Sequence, residues 1–417
     1  MTETVRRGGR GLRPIERPAD RHGDGFLDPP PPVTFADELT RLSFAELLDV
    51  AERASDARVD AALHATPTDR TLEDFAALLS AAAASRLEDL ARASRALTVA
   101  RFGRTMRMYA PLYLSNECLT TCAYCGFARE LPIARKTLSA EETMQEARYL
   151  LRQGFRSILL LTGEHERLTG VEFLEERLRL LSREVPQLAV EVQVWSEGEY
   201  RRLAAAGCEG VVVYQETYDP ATYAGVHLAG RKRHFRWRLL GPERGARAGM
   251  RRIGIGALFG LHDDWRYEAL AVAAHARFLM RHYWRSQVSV SVPRLRPSPA
   301  GYEPRAVLSD AQLVQLVCAL RLVLPDAGLV LSARESPSLR DGLFRVGITH
   351  TSAGSHTEPG GYERPEGATG QFEVADLRSP AEVTARLREL GYDPVWEDWA
   401  RVSPSTESML TRAHSPA

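Results

Sequence analysis

Residues 106–127 read MRMYAPLYLSNECLTTCAYCGF. The first part is a short apolar run that predicts a β-strand over 107–114. The second part is a loop that holds three of the chain's five cysteines, Cys118, Cys122 and Cys125, in the spacing C-x3-C-x2-C. An extracellular disulfide framework would spread its cysteines in pairs along the chain. Three cysteines within eight residues point to metal binding in a reducing compartment.

Downstream of this stretch, short apolar and β-branched runs recur at 157–162, 188–194, 210–214, 252–257, 287–292, 328–332 and 347–352. Between them lie long amphipathic patterns, for example at 139–153, 171–184, 264–283 and 309–323, with apolar residues at helical spacing. Eight strands alternating with helices predict parallel βαβ units, and eight units in roughly 250 residues match a closed α/β barrel of the (β/α)8 TIM type. A doubly wound open sheet is the alternative, because periodicity does not reveal closure. In a barrel the functional side chains follow the C-terminal strand ends. Those positions here hold Cys118, Glu164, Trp195, Glu216, His262, Arg294, Arg296, Arg334 and Ser352.

Working outward, 1–34 is rich in Arg, Gly, Asp and Pro and reads as a disordered leader. Residues 35–104 form a helical N-terminal segment, 105–356 the barrel, and 357–417 a C-terminal loop and helical extension. The 417 residues carry 54 basic and 54 acidic side chains, so the composition implies no nucleic-acid or membrane partner. No apolar run reaches the length of a transmembrane helix, and the Arg-rich N-terminus lacks the apolar core of a secretory signal. The expected location is the cytoplasm.

The cysteine loop has few bottom-up readings. Structural zinc takes four ligands, and no second C-x2-C exists in the chain. Cys208 and Cys318 are isolated and read as small buried apolar residues. Three thiolates on a 4Fe-4S cluster leave one iron without a protein ligand, open to a small molecule. The loop resembles the cluster motif of the radical S-adenosylmethionine (SAM) superfamily, in which the open iron binds the amino and carboxylate groups of SAM. The resemblance implies that Cys118, Cys122 and Cys125 hold the cluster and that Tyr124 lies near the adenine. Thr162-Gly163-Glu164 resembles the superfamily's Gly-Gly-Glu element, with Thr162 in place of the first Gly. It implies that Gly163 and Glu164 receive the SAM ammonium.

A tighter resemblance runs from about residue 101 to 399. Stretches such as VVVYQETYDPATYAGVHLAG (211–230), GARAGMRRIGIGALFGL (245–261), HYWRSQVSVSVPRLRP (282–297), LSARESPSLRD (331–341) and DPVWEDW (393–399) are similar to the 2-iminoacetate synthase family, the tyrosine lyases of thiamine thiazole biosynthesis. The resemblance implies that SAM is cleaved to methionine and a 5′-deoxyadenosyl radical, which removes a hydrogen from the amino nitrogen of L-tyrosine. Cα–Cβ cleavage then gives 2-iminoacetate (dehydroglycine) and, after reduction, p-cresol. It places Arg334 on the substrate carboxylate, with Tyr113 and Ser352 beside it, Thr351 or Ser355 being alternatives to Ser352. Arg334 next to Glu335 is also the pattern of an ordinary surface pair. Glu216 is expected at SAM or substrate, Arg296 at the site, and Gly254 and Gly256 where a ligand approaches the backbone. His165 and His262 read as polar loop histidines. The implied partners are thiazole synthase and a flavodoxin- or ferredoxin-type electron donor. Two readings compete: a radical SAM lyase of tryptophan, and a non-catalytic metal-binding scaffold. A hydrogenase-maturation tyrosine lyase would need a second group of cysteines near its C-terminus, and none follows Cys318.

Overall fold

The computed structural model describes residues 33–363 and 367–397. The leader expected at 1–34 lies, except for its last two residues, outside them, as do residues 398–417 of the expected C-terminal extension.

Eight parallel strands form the centre: β1 (Thr105–Ser115), β2 (Ser157–Thr162), β3 (Gln187–Glu191), β4 (Gly210–Glu216), β5 (Arg252–Ala257), β6 (Gln287–Ser291), β7 (Gly328–Leu331) and β8 (His350–Ser352). They pair in chain order, and β8 returns to β1 with Arg107 opposite His350 and Tyr109 opposite Ser352. The sheet is therefore a closed (β/α)8 barrel rather than an open sheet. The outer helices are α1 (Ala140–Arg152), α2 (Val171–Leu181), α3 (Glu197–Ala205), α4 (Gly241–Arg247), α5 (Trp265–His282), α6 (Asp310–Val323), α7 (Pro337–Phe344) and α8 (Pro380–Glu389). Serine caps start several of them. Ser139, Ser196, Ser309 and Ser379 each accept from the backbone three residues on, while the acid or amide there reaches back to the cap.

Six short helices between Phe35 and Phe102 precede the barrel. They are anchored by buried polar contacts. Gln315 Nε2 donates to the carbonyls of Leu78 (3.0 Å) and Ser80 (2.9 Å), and Arg70 Nη1 donates to the carbonyl of Leu322 (3.0 Å). The segment expected as a C-terminal loop and helical extension packs onto the closed barrel. It supplies α8, and a final strand, Asp393–Val395, pairs parallel with Thr105–Arg107 of β1.

Along each barrel strand every second residue faces the lumen. Many of these are small in the lower half, among them Ser157, Ala189, Gly210, Gly254, Ser289 and Gly328. They leave a cavity of about 380 Å³ instead of the packed layers usual for this fold. Tyr109, Leu159 and Tyr214 line both this cavity and a smaller chamber at the C-terminal strand ends, so they form the floor between the two.

Candidate active site

The cysteine loop leaves β1 at Ser115 and is tied down on several sides. Cys122 belongs to a two-residue strand, Thr121–Cys122, paired antiparallel with His227–Ala229. Leu119 N donates to the Glu164 carbonyl at 2.8 Å, and Arg129 N to the Thr120 carbonyl at 3.0 Å. The Thr120 hydroxyl lies 3.0 Å from Cys118 Sγ and 3.5 Å from Cys122 Sγ. All five cysteines are free thiols. Burial pushes the Cys118 and Cys122 thiols upward, as it does those of Cys208 and Cys318 in the core. The loop supplies three thiols and no fourth ligand, a donor set that fits an iron–sulfur cluster with one open iron better than a structural zinc, which takes four ligands.

Gly163 has a specific reason to be glycine. An added Cβ would meet the Glu117 carbonyl oxygen at 2.2 Å and Cys118 Cβ at 3.0 Å, so the β2 loop presses directly on the first cysteine. The next residue, Glu164, accepts from Arg238 Nη1 at 3.1 Å. Arg238 Nη2 lies 3.7 Å from Glu216, which also accepts from Lys232 Nζ at 2.7 Å. Burial opposes ionisation of Glu216, but Lys232 and Arg238 outweigh it and hold the carboxyl below its usual range. Glu216 is also the one non-glycine among the described residues with a positive φ, 72°, where β4 bulges against β5. Strain of this kind persists only where surrounding contacts fix it.

Tyr124 packs in the same wall. Its hydroxyl lies 2.9 Å from His227 Nε2, and Lys232 Nζ stands 5.7 Å from its ring centre. Burial lowers His227 to about 2, so its ring is neutral. Several buried polar atoms at these strand ends have no partner: Thr162 Oγ1, both amide atoms of Gln193 and of Gln215, and Arg296 Nε. Unpaired buried polar groups are costly in a closed core, and a polar ligand such as SAM would satisfy them. The donor set thus fits both a 4Fe-4S cluster and SAM.

Arg334 lies in the chamber wall beyond β7, with Ser352 of β8 nearby. Its guanidinium stacks on the Phe372 ring at 3.4 Å and pairs with no carboxylate among the described residues. The surface-pair alternative fails for a clear reason. Glu335 is buried and accepts from Arg294, whose Nη1 also reaches Asp310 at 2.7 Å. Tyr113 donates to Gln371 Oε1 at 2.8 Å, and Gln371 Nε2 lies 3.5 Å from Cys125 Sγ. One glutamine therefore connects the substrate chamber to the cluster loop.

The structure brings the three cysteines, Tyr124, Gly163, Glu164 and Glu216 to one mouth, and Tyr113, Arg334 and Ser352 to the chamber beneath it. Arg296 sits in the loop whose Ser298 donates to the Tyr124 carbonyl at 3.0 Å, but it does not line the chamber. Gly254 and Gly256 are both pressed by the neighbouring strand. A Cβ on Gly254 would meet Val212 Cγ2 at 2.8 Å, and one on Gly256 would meet the Tyr214 ring at 2.5 Å. His165 Nδ1 accepts from Leu168 N and His262 Nδ1 from Asp264 N, so both are local loop contacts. Sequence reasoning missed Glu191, Lys232, Arg238 and Gln371. For Glu191 a signal was present: Gln187, Ala189, Glu191 and Gln193 alternate with Leu188, Val190, Val192 and Val194, a polar lumen face on an otherwise apolar strand.

A closed parallel barrel with this three-cysteine loop and an unsatisfied polar wall defines a radical SAM enzyme. Residues 112–273 match the Radical SAM superfamily model, and 291–393 match the Biotin and Thiamin Synthesis associated domain. The chain is 44% identical over 366 residues to 2-iminoacetate synthase of Escherichia coli K12, covering 88% of this chain and 97% of that protein. It is 43% identical to the 2-iminoacetate synthase of Salmonella typhimurium over the same shares of the two chains. The crystal structure of HydG, a maturase of the FeFe-hydrogenase, superposes with a TM-score of 0.79 at 30% identity, covering 85% of this chain and 79% of that one. The chain belongs to the 2-iminoacetate synthase family.

Proposed function

We propose that the chain cleaves the Cα–Cβ bond of L-tyrosine to 2-iminoacetate and p-cresol, consuming SAM and yielding 5′-deoxyadenosine and methionine. The observation that carries this reading is Arg334, a cation without an acidic partner in a chamber linked through Tyr113 and Gln371 to Cys125. When bound, the 4Fe-4S cluster of Cys118, Cys122 and Cys125, together with SAM, supplies the hydrogen-abstracting radical. The protein's own groups bind and orient. Glu164 is placed to receive the SAM ammonium, with Arg238 fixing its rotamer. Arg334 clamps the tyrosine carboxylate, and its stack on Phe372 removes the rotamer freedom that would otherwise be lost on binding. Ser352 borders that carboxylate. Tyr113, already committed to Gln371, holds the roof of the chamber and excludes water.

Thiazole synthase belongs to this proposal as the acceptor of the imine, which hydrolyses in water, and the cytoplasm as the location. Among the described residues no helix is long and apolar enough to cross a membrane. The electron donor is proposed to be a small acidic redox protein that docks over the cysteine loop. Leu119, Leu168 and Leu228 are exposed there, on three segments joined by the Leu119–Glu164 and Cys122–His227 backbone contacts. Arg129, Arg167 and Arg233 are exposed on the same three segments, in a chain of zero net charge. The double variant Arg167→Glu, Arg233→Glu should lower turnover driven by reduced flavodoxin about tenfold at low salt, leaving dithionite-driven turnover unchanged. An equal change with both reductants would remove the donor from this face.

The activity itself is tested by anaerobic incubation of the reconstituted protein with SAM, a reductant and L-tyrosine. Chromatography should show 5′-deoxyadenosine and p-cresol together. Deoxyadenosine with no p-cresol would keep the radical chemistry and redirect the substrate, with tryptophan next. Neither product from a cluster-loaded protein would favour the scaffold reading.

A further inference from the structure

We infer that Glu191 is the specificity-determining residue for the ring hydroxyl of the substrate: its carboxylate accepts a hydrogen bond from the phenol of tyrosine. The inference rests on the tyrosine reading above and extends it to the far end of the substrate.

The chamber contains one acidic and one basic side chain, Glu191 and Arg334. Glu191 ends β3, and Arg334 follows β7 by three residues. In the closed order of eight strands β3 and β7 stand four apart in either direction, so the two charges occupy opposite walls. An amino acid whose carboxylate is clamped at Arg334 carries its ammonium on the neighbouring atom, on the Arg334 side. Only the tip of the side chain reaches the opposite wall.

Tyr113 already donates to Gln371, and the buried chamber hydroxyl that has no partner, Ser355 Oγ, follows β8, the strand next to β7 and so on the Arg334 side. Glu191 has no hydrogen-bond partner among the described residues and is not salt-bridged, although Leu161 beside it in the sheet is apolar and buried. A carboxylate with nothing bound to it in such a place is an acceptor awaiting a donor. Burial, and then the Glu216 carboxylate, raise Glu191 to about 7, which is the cost of leaving it unpaired. A phenol O–H supplies the missing donor. A phenyl ring does not, and would leave the half-buried carboxylate facing it unsatisfied, the arrangement that discriminates against the analogue lacking the hydroxyl.

The test uses the reconstituted full chain as wild type, Glu191→Gln and Glu191→Leu, each checked for iron content and circular dichroism. For each, KM for L-tyrosine is compared with the inhibition constant of L-phenylalanine as a competitor. The wild type should favour tyrosine by about 100-fold or more, and Glu191→Leu should bring the ratio within about threefold, by weakening tyrosine and not phenylalanine. Glu191→Gln, whose amide oxygen still accepts, should fall between, and it decides the matter should the Leu variant fail to fold. Equal weakening of both ligands would place Glu191 at the ammonium or make it structural, and an unchanged ratio in both variants would overturn the inference directly. Wild type that turns over no tyrosine would sink the function reading itself, a result visible without any variant.

Discussion

Cys122→Ala should yield a folded protein that holds no 4Fe-4S cluster and forms no 5′-deoxyadenosine. Cys122 lies on the small strand against His227–Ala229, and its side chain packs with Tyr124, Val226, Leu258 and Leu261. Alanine removes one sulfur from a local apolar contact and leaves the barrel hydrogen bonds intact, so the fold survives. The cluster does not, because the loop offers three thiols and no fourth ligand to substitute. Cys208 and Cys318 are buried elsewhere in the main core. Loss of a required ligand costs at least the 10- to 100-fold typical of a lesser change in a ligand's surroundings, so iron and acid-labile sulfide should fall to about a tenth of wild type or less. With no cluster, tyrosine-dependent and tyrosine-independent SAM cleavage disappear together. Residual SAM cleavage at wild-type rate would remove Cys122 from the ligand set.

Arg334→Ala should separate those two activities. The residues proposed to hold the cluster and SAM belong to β1, β2, β4 and the loops that follow them, and Arg334 hydrogen-bonds to none of them. Its contacts are Phe372 and the chamber. Removing a bidentate, charge-assisted clamp on a carboxylate costs about 2–3 kcal/mol, which converts to a rise in the KM for tyrosine of roughly 30- to 150-fold. Uncoupled formation of 5′-deoxyadenosine should stay within about threefold. Arg334→Lys should recover little, because an ammonium cannot reproduce the planar fork or the stack on Phe372. Parallel loss of both reactions would move Arg334 out of the substrate chamber and into the support of the cluster.

Much of this molecule was legible in the sequence, for identifiable reasons. Buried parallel strands read as short apolar runs, and seven of the eight expected runs begin within two residues of the observed strand. The eighth, expected from 347, starts at His350 because Ile348 and Thr349 pack in the approach to β8 rather than in it. The cysteine spacing is local, so it exposed the cluster without any knowledge of tertiary structure. Gln371 shows what is not local. It comes from an irregular loop 246 residues after Cys125, and nothing in TGQFEV marks it as a bridge. Arg238 and Lys232 look like members of a basic surface run, RKRHFRWR, until the fold buries them against Glu164 and Glu216. Gly254 and Gly256 are a less specific signal. A glycine pair on a strand suggests a close approach, and Val212 and Tyr214 of the neighbouring strand supply one, while Gly254 also faces the lumen cavity. A glycine records that something is close and does not say what.

The way the barrel closes also has a consequence for biosynthesis. The cysteine loop is translated early, whereas the strand that seals β1, the arginine clamp and the bridging glutamine come more than 200 residues later. At ribosomal speeds of about 5–20 residues per second, Cys118, Cys122 and Cys125 would emerge some ten to forty seconds before the last barrel strand exists to pair with the first. During that interval the nascent chain presents three thiols with no chamber behind them. The enclosure around the motif therefore waits for β8, and a translation product truncated before it would keep the three thiols while lacking the chamber.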